Sequence, residues 1–583
     1  MKKILGFIGI IILFMGCNEK MELPYDGRVP KDELFSDFNA TRGMLNRAYI
    51  FLPGSGMPDY GIFYSGSMLA SFCDEAQDAG YSSITSSGFR DWYEGRVTSS
   101  NMPLPGLWGG YYEGIRACNV FLEGIKTTTL NVSPEEIKGW IAQARTLRAF
   151  YYLQIIKRYG FAMLLDKEID LSHDFSKDIK SSFNEVAAFI LADCDSALAE
   201  PGSVFKWRYP GDAGNVGTMT RGIAYAIKSQ TALYAASPLY QDGSISWDKA
   251  AAITADALYQ CTNNGELDYT LYSNYKEYFS RSIDVTQSQD RETILSTRGQ
   301  LEVWKYCGHP STKGMEKTGP SPTQELVDCY EMTGTGLPPV TGYHDTKHLR
   351  PIYNPAVFST VPKYDSLNPY NNRDPRLKAS IYYLGNGLEI AESLTSAEEN
   401  RINQTRTGYY IAKFNLESSN SDANNDGYMK IFRLAELYLN FAEAANEAYG
   451  PNVAVTIGPW SMTALQAVNV VRARAGMPDF GTTAGDNSAS DQDAFRTKYR
   501  NERRVELAFE QHRFYDVRRW QSPEGDLSET DQYLTGIKSG SFKRFALPRR
   551  LAFDNKYLLM PLPADENNKV VELTGTSWQN SGW

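Results

Sequence analysis

The chain has 583 residues, 42% of them hydrophobic and 22% charged, with a formal net charge of −10. This is the profile of a globular protein with a large core, and an acidic body excludes the basic footprint of a nucleic-acid binder. Aromatic residues reach 13%, with 37 Tyr and 10 Trp, so many tyrosines are expected at the surface or in polar clefts, where the hydroxyl finds a partner.

Lys2 and Lys3 precede an apolar run, Ile4 to Met15, that ends at Gly16-Cys17. A run this short falls below the ~20 residues a spanning helix needs, so residues 1–16 read as a signal segment. A small residue directly before Cys17 resembles the bacterial lipobox, in which Cys17 is acylated and becomes the mature N-terminus; an ordinary secretory signal is the alternative. Phe14 departs from the aliphatic residue usual in that motif. Loss of Lys2 and Lys3 takes the charge from −10 to −12. No later apolar run is long enough to span, so the expected protein is anchored to a membrane without crossing it.

Residues 17–30, with Pro24, Gly27 and Pro30, read as a tether. An amphipathic helix is expected from Asp32 to Leu52. Pro53 to Pro105 then turns to Gly, Ser, Tyr and Trp with little periodicity, the texture of a functional surface. Helical spacing returns at Leu107–Ile125, at Glu135–Tyr159 opened by Pro134, at Phe183–Ala199, at Thr220–Ala236 and at Trp247–Tyr259. These alanine-rich helices look like degenerate tetratricopeptide-type repeats without a strict period. Periodicity fades again over 270–430, where short β runs such as Glu292–Leu295 and Ala379–Tyr383 sit among loops. Helices resume at 431–449, 461–475 and 493–511 before an irregular tail. The expected fold is mainly α: one domain over 31–583, with a helical-repeat scaffold at about 31–52, 107–260 and 431–511. A loop-rich ligand face would occupy 53–106 and 270–430.

The helix 431–449 organises this scheme. Two of its faces are apolar, and Gly450-Pro451 stops it. One polar stripe remains, Glu436, Asn440, Glu443 and Glu447, with Arg433 placed to pair with Glu436 one turn on. The stripe reads as structural carboxylates, because no nucleophile accompanies it. In 501–513, Glu502, Glu506 and Glu510 recur every four residues among Arg503, Arg504 and Arg513, a pattern of ion pairs between neighbouring helices, worth tenths of a kcal/mol each if exposed. Asp422 to Gly427 copies half a calcium loop, but Arg433 stands where the loop needs Glu, so a polar turn is the better reading. His344 and His348 lie beside Gly342 and Pro351, not on a helix, which argues against zinc. Nucleotide and hydrolase fingerprints are missing. Among the cysteines there is no CxxC; Cys118, Cys194 and Cys261 fall on apolar helix faces, and a Cys307–Cys329 bridge is left open.

Several segments, in order, resemble the SusD/RagB family of outer-membrane lipoproteins: Leu107 to Asn119, Ala142 to Tyr152, Pro322 to Asp328, Asn372 to Leu377, Arg433 to Ala444, Glu502 to Arg519 and Pro561-Leu562-Pro563. Gln143, Phe161-Ala162 and the terminal Gln579 to Trp583 depart from the family pattern. The resemblance implies a tetratricopeptide-like fold and a non-catalytic protein with no cofactor or metal. Such a protein sits at the cell surface, binds glycans and caps a SusC-like TonB-dependent transporter, met here through the helical scaffold. A peptide-binding member of the family and a surface glycosidase are the rivals. The ligand site is expected where Tyr81–Asn101 and Gln300–His309 converge. Trp92 and Trp304 would stack on sugar rings, Tyr81, Tyr93 and Tyr306 would assist, and Asp74, Arg90 and Asn101 would meet hydroxyls. Trp108, Trp140, Tyr151 and Tyr438 read as core.

Overall fold

A computed structural model describes residues 30–54, 67–79, 87–104, 107–170, 172–265, 267–279, 289–297, 319–388, 405–414, 427–483, 486–487, 489–521, 534–538, 542–547 and 554–583. The principal helices are α1 (Phe38–Tyr49), α2 (Ser87–Tyr93), α3 (Trp108–Gly124), α4 (Pro134–Tyr159), α5 (Phe183–Leu198), α6 (Arg221–Ala236) and α7 (Trp247–Thr262), followed by α8 (Gln324–Cys329), α9 (Pro375–Ser380), α10 (Leu434–Tyr449), α11 (Ala464–Ala475), α12 (Gln492–Glu506) and α13 (His512–Trp520). From α3 to α7 each helix packs on the next, and α10 joins the array against α7, α11 and α12. Small residues set the spacing: a Cβ on Gly114 of α3 would lie 2.7 Å from the Tyr151 ring of α4. Trp108, Trp140 and Tyr151 are buried in this core, and Tyr438 is half-buried.

Local chemistry moves several expected boundaries. The first expected helix breaks at Phe35–Asp37, because Asp37 accepts a hydrogen bond from the Ala40 N–H and starts α1 anew. Ser133, Ser182 and Thr220 cap α4, α5 and α6 in the same way, and Gly160 ends α4 in the left-handed conformation. The helix expected from residue 431 begins only at Leu434, since Lys430–Arg433 is a strand paired antiparallel with Thr293–Ser296. The β-branched and aromatic pair Ile431-Phe432 suits that strand. The helix expected over 493–511 ends at Glu506; Phe509 and Gln511 adopt positive φ (62° and 70°) in the turn before α13. A hairpin, Ala454–Ile457 with Trp460–Thr463, delays α11 to Ala464. The tail is not wholly irregular: it holds the ribbon Thr535–Lys538 with Lys543–Ala546 and a helix, Ala564–Thr574. Many tyrosines are also more deeply placed than expected. Tyr111, Tyr152, Tyr234, Tyr269 and Tyr278 are buried, with hydroxyls such as that of Tyr269 donating to a backbone carbonyl (Trp207 O, 2.9 Å).

Glu436 and Glu443 of α10 and Glu502 and Glu506 of α12 are buried, not surface pairs, and such carboxylates lock distant segments together. Arg433 turns away from Glu436 and donates to Glu292, Glu506 and Glu510 at 2.7–2.8 Å. Arg376 of α9 bridges Asp374, Glu502 and Glu506, and Arg472 of α11 bridges Glu331 and Glu502. Lys413 reaches Glu510 at 2.7 Å. Burial opposes ionisation of Glu506, but Arg474, Arg433 and Arg376 outweigh it and hold the carboxyl well below the usual range. On the α10 stripe, Glu443 accepts from Arg519 and the Trp520 indole N–H, Glu436 from Gln230, and Glu447 from Arg496 and Tyr499.

Candidate functional site

The strand Ala76–Asp78 pairs antiparallel with Pro320–Pro322, and the Ala79 N–H donates to the Gly319 carbonyl at 2.8 Å. Ala79 and Gly319 therefore lie side by side, though 240 residues separate them in sequence. Arg406 sits at this junction, its Nε donating to the Ala79 carbonyl at 2.9 Å and its backbone N–H to Ser321 Oγ at 3.2 Å. Nothing in the aperiodic sequence around Arg406 singles it out. Thr323 fixes the base: it caps α8 and donates from Oγ1 to the Asp74 carbonyl at 2.7 Å.

Trp92 does not offer an open face. It lies on α2, where Phe89, Trp92 and Tyr93 follow helical spacing and turn inward together. Its ring is 9% exposed and meets Phe72 (5.3 Å, edge-on), Tyr557 (5.0 Å) and Phe514 (6.1 Å). Tyr93 is core as well: its hydroxyl donates to the Ser71 carbonyl at 2.7 Å and accepts from the Asp78 N–H at 3.2 Å. Both are corrected from platform to packing. A turn of helix inside a Gly- and Ser-rich stretch was the signal overlooked.

Asp74 is buried and held by Arg513 (2.9 and 3.0 Å) and Arg504 (2.7 Å), so its oxygens serve the fold before any ligand. Burial resists its ionisation, yet Arg504 and Arg513 keep it well below the carboxylate range. Its neighbour Glu75 goes the other way. Burial, then the Asp74 charge, pushes it up to about 8, and its Oε2 has no hydrogen-bond partner. Asn101 is exposed and closes its own turn, accepting from the Thr98 N–H and hydroxyl. Arg90 is half-buried on α2. Tyr81, Trp304 and Tyr306 lie outside the described residues, as do Cys307 and Asp422–Asp426.

Beside Asp74 opens a cleft of about 590 Å³, within the range of small-ligand sites. Tyr343 and His348 stack on one wall with ring centroids 4.0 Å apart, and Lys498 and Asn501 of α12 line another. Its carboxylates are matched. Asp328 takes two bonds from Arg544 (2.7 and 2.8 Å) and one from the Tyr343 hydroxyl; Glu325 takes the His348 Nδ1 at 2.9 Å and Thr535; Glu331 pairs with Arg472 and Lys498. His348 is thus tied to a carboxylate, and the described residues hold no cluster of three groups fit for a metal. Cys118, Cys194 and Cys261 are buried free thiols; Cys329, half-buried in the cleft, accepts from Arg504 at 3.0 Å.

This architecture has known counterparts. The profile of the SusD family matches residues 276–583. SusD-like protein P25 of Formosa agariphila is 41% identical over 114 residues, which is 19% of each chain, so the chain spans only a fifth of that relative in the match. A crystal structure of a SusD-like protein from Bacteroides fragilis superposes with a TM-score of 0.69 at 24% identity, covering 96% of this chain and 100% of that one. A second, described as a SusD-like carbohydrate binding protein from the same species, gives 0.67 at 22%, covering 92% and 98%. The chain belongs to the SusD family, and its fold is the tetratricopeptide-like helical fold of these neighbours. Among the described residues no helix is long and apolar enough to cross a membrane.

Proposed function

We propose that this protein is a cell-surface glycan-binding lipoprotein, anchored through Cys17, that captures oligosaccharides and hands them to a SusC-like TonB-dependent outer-membrane transporter without acting on them. The observation that carries the reading is the pairing of Ala79 with Gly319 on a SusD-family body, which brings the described ends of the two expected ligand segments together. In sequence, Tyr81 follows Ala79 by two residues, and the segment that contains Trp304 and Tyr306 precedes Gly319. Aromatic faces for sugar C–H groups and polar side chains for hydroxyls are the chemistry such a site needs. The carboxylates of the adjacent cleft argue against hydrolysis: each has a cationic or hydrogen-bonding partner, whereas glycoside hydrolysis needs one as free acid and another as nucleophile or base. The transporter contact is assigned to the outer surface of the helical scaffold.

The test is equilibrium binding of the full-length protein, in detergent micelles, to a panel of neutral and acidic oligosaccharides, followed by chromatography of the recovered ligand. Retention of an intact glycan is expected. Shortened products would point to a glycosidase, and retention of peptides in place of glycans to a peptide-binding member of the family.

A further inference from the structure

A second cleft, of about 400 Å³, lies where the loop 204–218 closes over α1 and α4, and shares no residue with the cleft beside Asp74. Its volume again suits a small ligand. What sets it apart is the state of its polar groups. The Arg42 guanidinium of α1 rests over the buried Trp140 ring at 5.3 Å, and makes no hydrogen bond or ion pair with any described residue. Tyr209 lines the same cleft as Arg42, and burial raises its phenol while the Arg42 charge partly offsets this. The Tyr49 hydroxyl accepts from the Met219 N–H at 3.0 Å and donates to Gln143 Oε1 at 2.8 Å. That bond turns the Gln143 amide so that its NH2 is left without an acceptor among the described residues. Asn46 and the carboxylate of Glu136 complete the lining, likewise with no described side-chain partner.

These groups are held but not satisfied. A guanidinium pinned on an indole has lost rotamer freedom before any ligand arrives, so less entropy remains to be lost on binding. Arg42, Gln143 and Tyr209 are half-buried and Asn46 and Glu136 exposed, so their free hydrogen-bonding capacity faces solvent that a ligand can replace. The set holds one cation and one anion, so it favours neither an anionic nor a cationic ligand. Arg42 and the Gln143 amide donate, Glu136 accepts, and Asn46 and Tyr209 do both; hydroxyl groups, which also do both, complement all of them at once. We propose that this cleft is a second saccharide subsite, for a neutral sugar unit held by hydrogen bonds more than by stacking. The inference rests on the reading of the protein as a glycan binder.

The experiment is calorimetric titration of the full-length protein in micelles with short neutral gluco-, manno-, xylo- and galacto-oligosaccharides, for the wild type, Arg42→Met and Trp304→Ala. Arg42→Met keeps a side chain on Trp140 and removes every donor. The expected result is two binding events in the wild type. Arg42→Met weakens one of them at least tenfold with an unchanged melting temperature, and Trp304→Ala weakens the other. A single event that Arg42→Met leaves intact would overturn the subsite while the glycan-binding reading stands. Binding of none of these sugars, with peptides retained instead, would overturn both.

Discussion

The arginines around α12 and the arginine of the α1–α4 cleft do opposite things with the same side chain. Arg376, Arg433 and Arg472 are each less than 2% exposed and each bridges two or more carboxylates drawn from distant parts of the chain. Arg42 is half-buried, lies over a ring and bridges nothing described. The difference teaches where structure ends and recognition can begin. A buried charge whose hydrogen-bonding capacity is filled specifies the fold, and one left unfilled at a cleft is capacity for a ligand. The segments that carry the family resemblance fall mostly on the first side. Asp374 and Arg376, Glu325 and Asp328, Arg433, Glu443 and the run from Glu502 to Arg519 are all consumed in holding helices, strands and the terminal ribbon together.

The largest effect should come from emptying the filled side. Arg433→Met removes the cation shared by Glu292, Glu506 and Glu510, leaving three buried carboxylates under-compensated. Breaking a buried pair in this way costs about 3–5 kcal/mol, which urea unfolding will read as a large fall in midpoint. Arg42→Met should leave the same midpoint in place, and an equal loss in both would erase the distinction.

This contrast marks how far the sequence was legible. The helices of the scaffold announce themselves by apolar spacing, and two of their starts by Pro134 and Thr220, because both are local signals. The spacing of Glu502, Glu506 and Glu510 was equally visible, but their burial was not: Arg376, Arg433 and Arg472 come from 30 to 130 residues away. Arg433 itself was placed on a helix and sits in a strand, since its neighbours answer to a partner strand at 293–296 that periodicity cannot see. Trp92 was taken for a loop residue because a two-turn helix within a Gly- and Ser-rich stretch gives too little period to register. Asp74 looked like a hydroxyl partner, and only the fold brings Arg504 and Arg513 onto it. The meeting of Ala79 with Gly319 depends on a strand pairing across 240 residues, which no local periodicity reveals.

A smaller effect tests Glu75, a buried carboxylate near Ala79 whose Oε2 has no hydrogen-bond partner among the described residues. Glu75 has a folded pKa of about 8 against an ordinary 4.5, so the folded state holds its proton more tightly. The stability this contributes is complete below pH 4.5 and is lost as pH rises through 8. Lys157, lowered to about 7 by burial, bends stability the other way above neutrality, so the informative quantity is the difference from a variant. Glu75→Gln should match the wild type near pH 5 and exceed it near pH 9, by on the order of 1–3 kcal/mol, the cost of an unsatisfied buried group. Melting across that range checks it; a gap that narrows with rising pH would mean that Glu75 is ionised and paired.

The central claim is that ligand is held by residues that follow Ala79 or precede Gly319 in sequence, Trp304 among them, and not by the α2 rings packed in the core. Paired calorimetry and melting of Trp304→Ala and Trp92→Ala, with a glycan retained by the wild type, test it most directly. Trp304→Ala should weaken that binding about tenfold, equivalent to 1.4 kcal/mol, with melting unchanged. Trp92→Ala should lower stability by ~3–5 kcal/mol, as removal of a buried tryptophan does, while the folded fraction keeps its affinity. Full glycan affinity in Trp304→Ala together with lost affinity in folded Trp92→Ala would contradict the account.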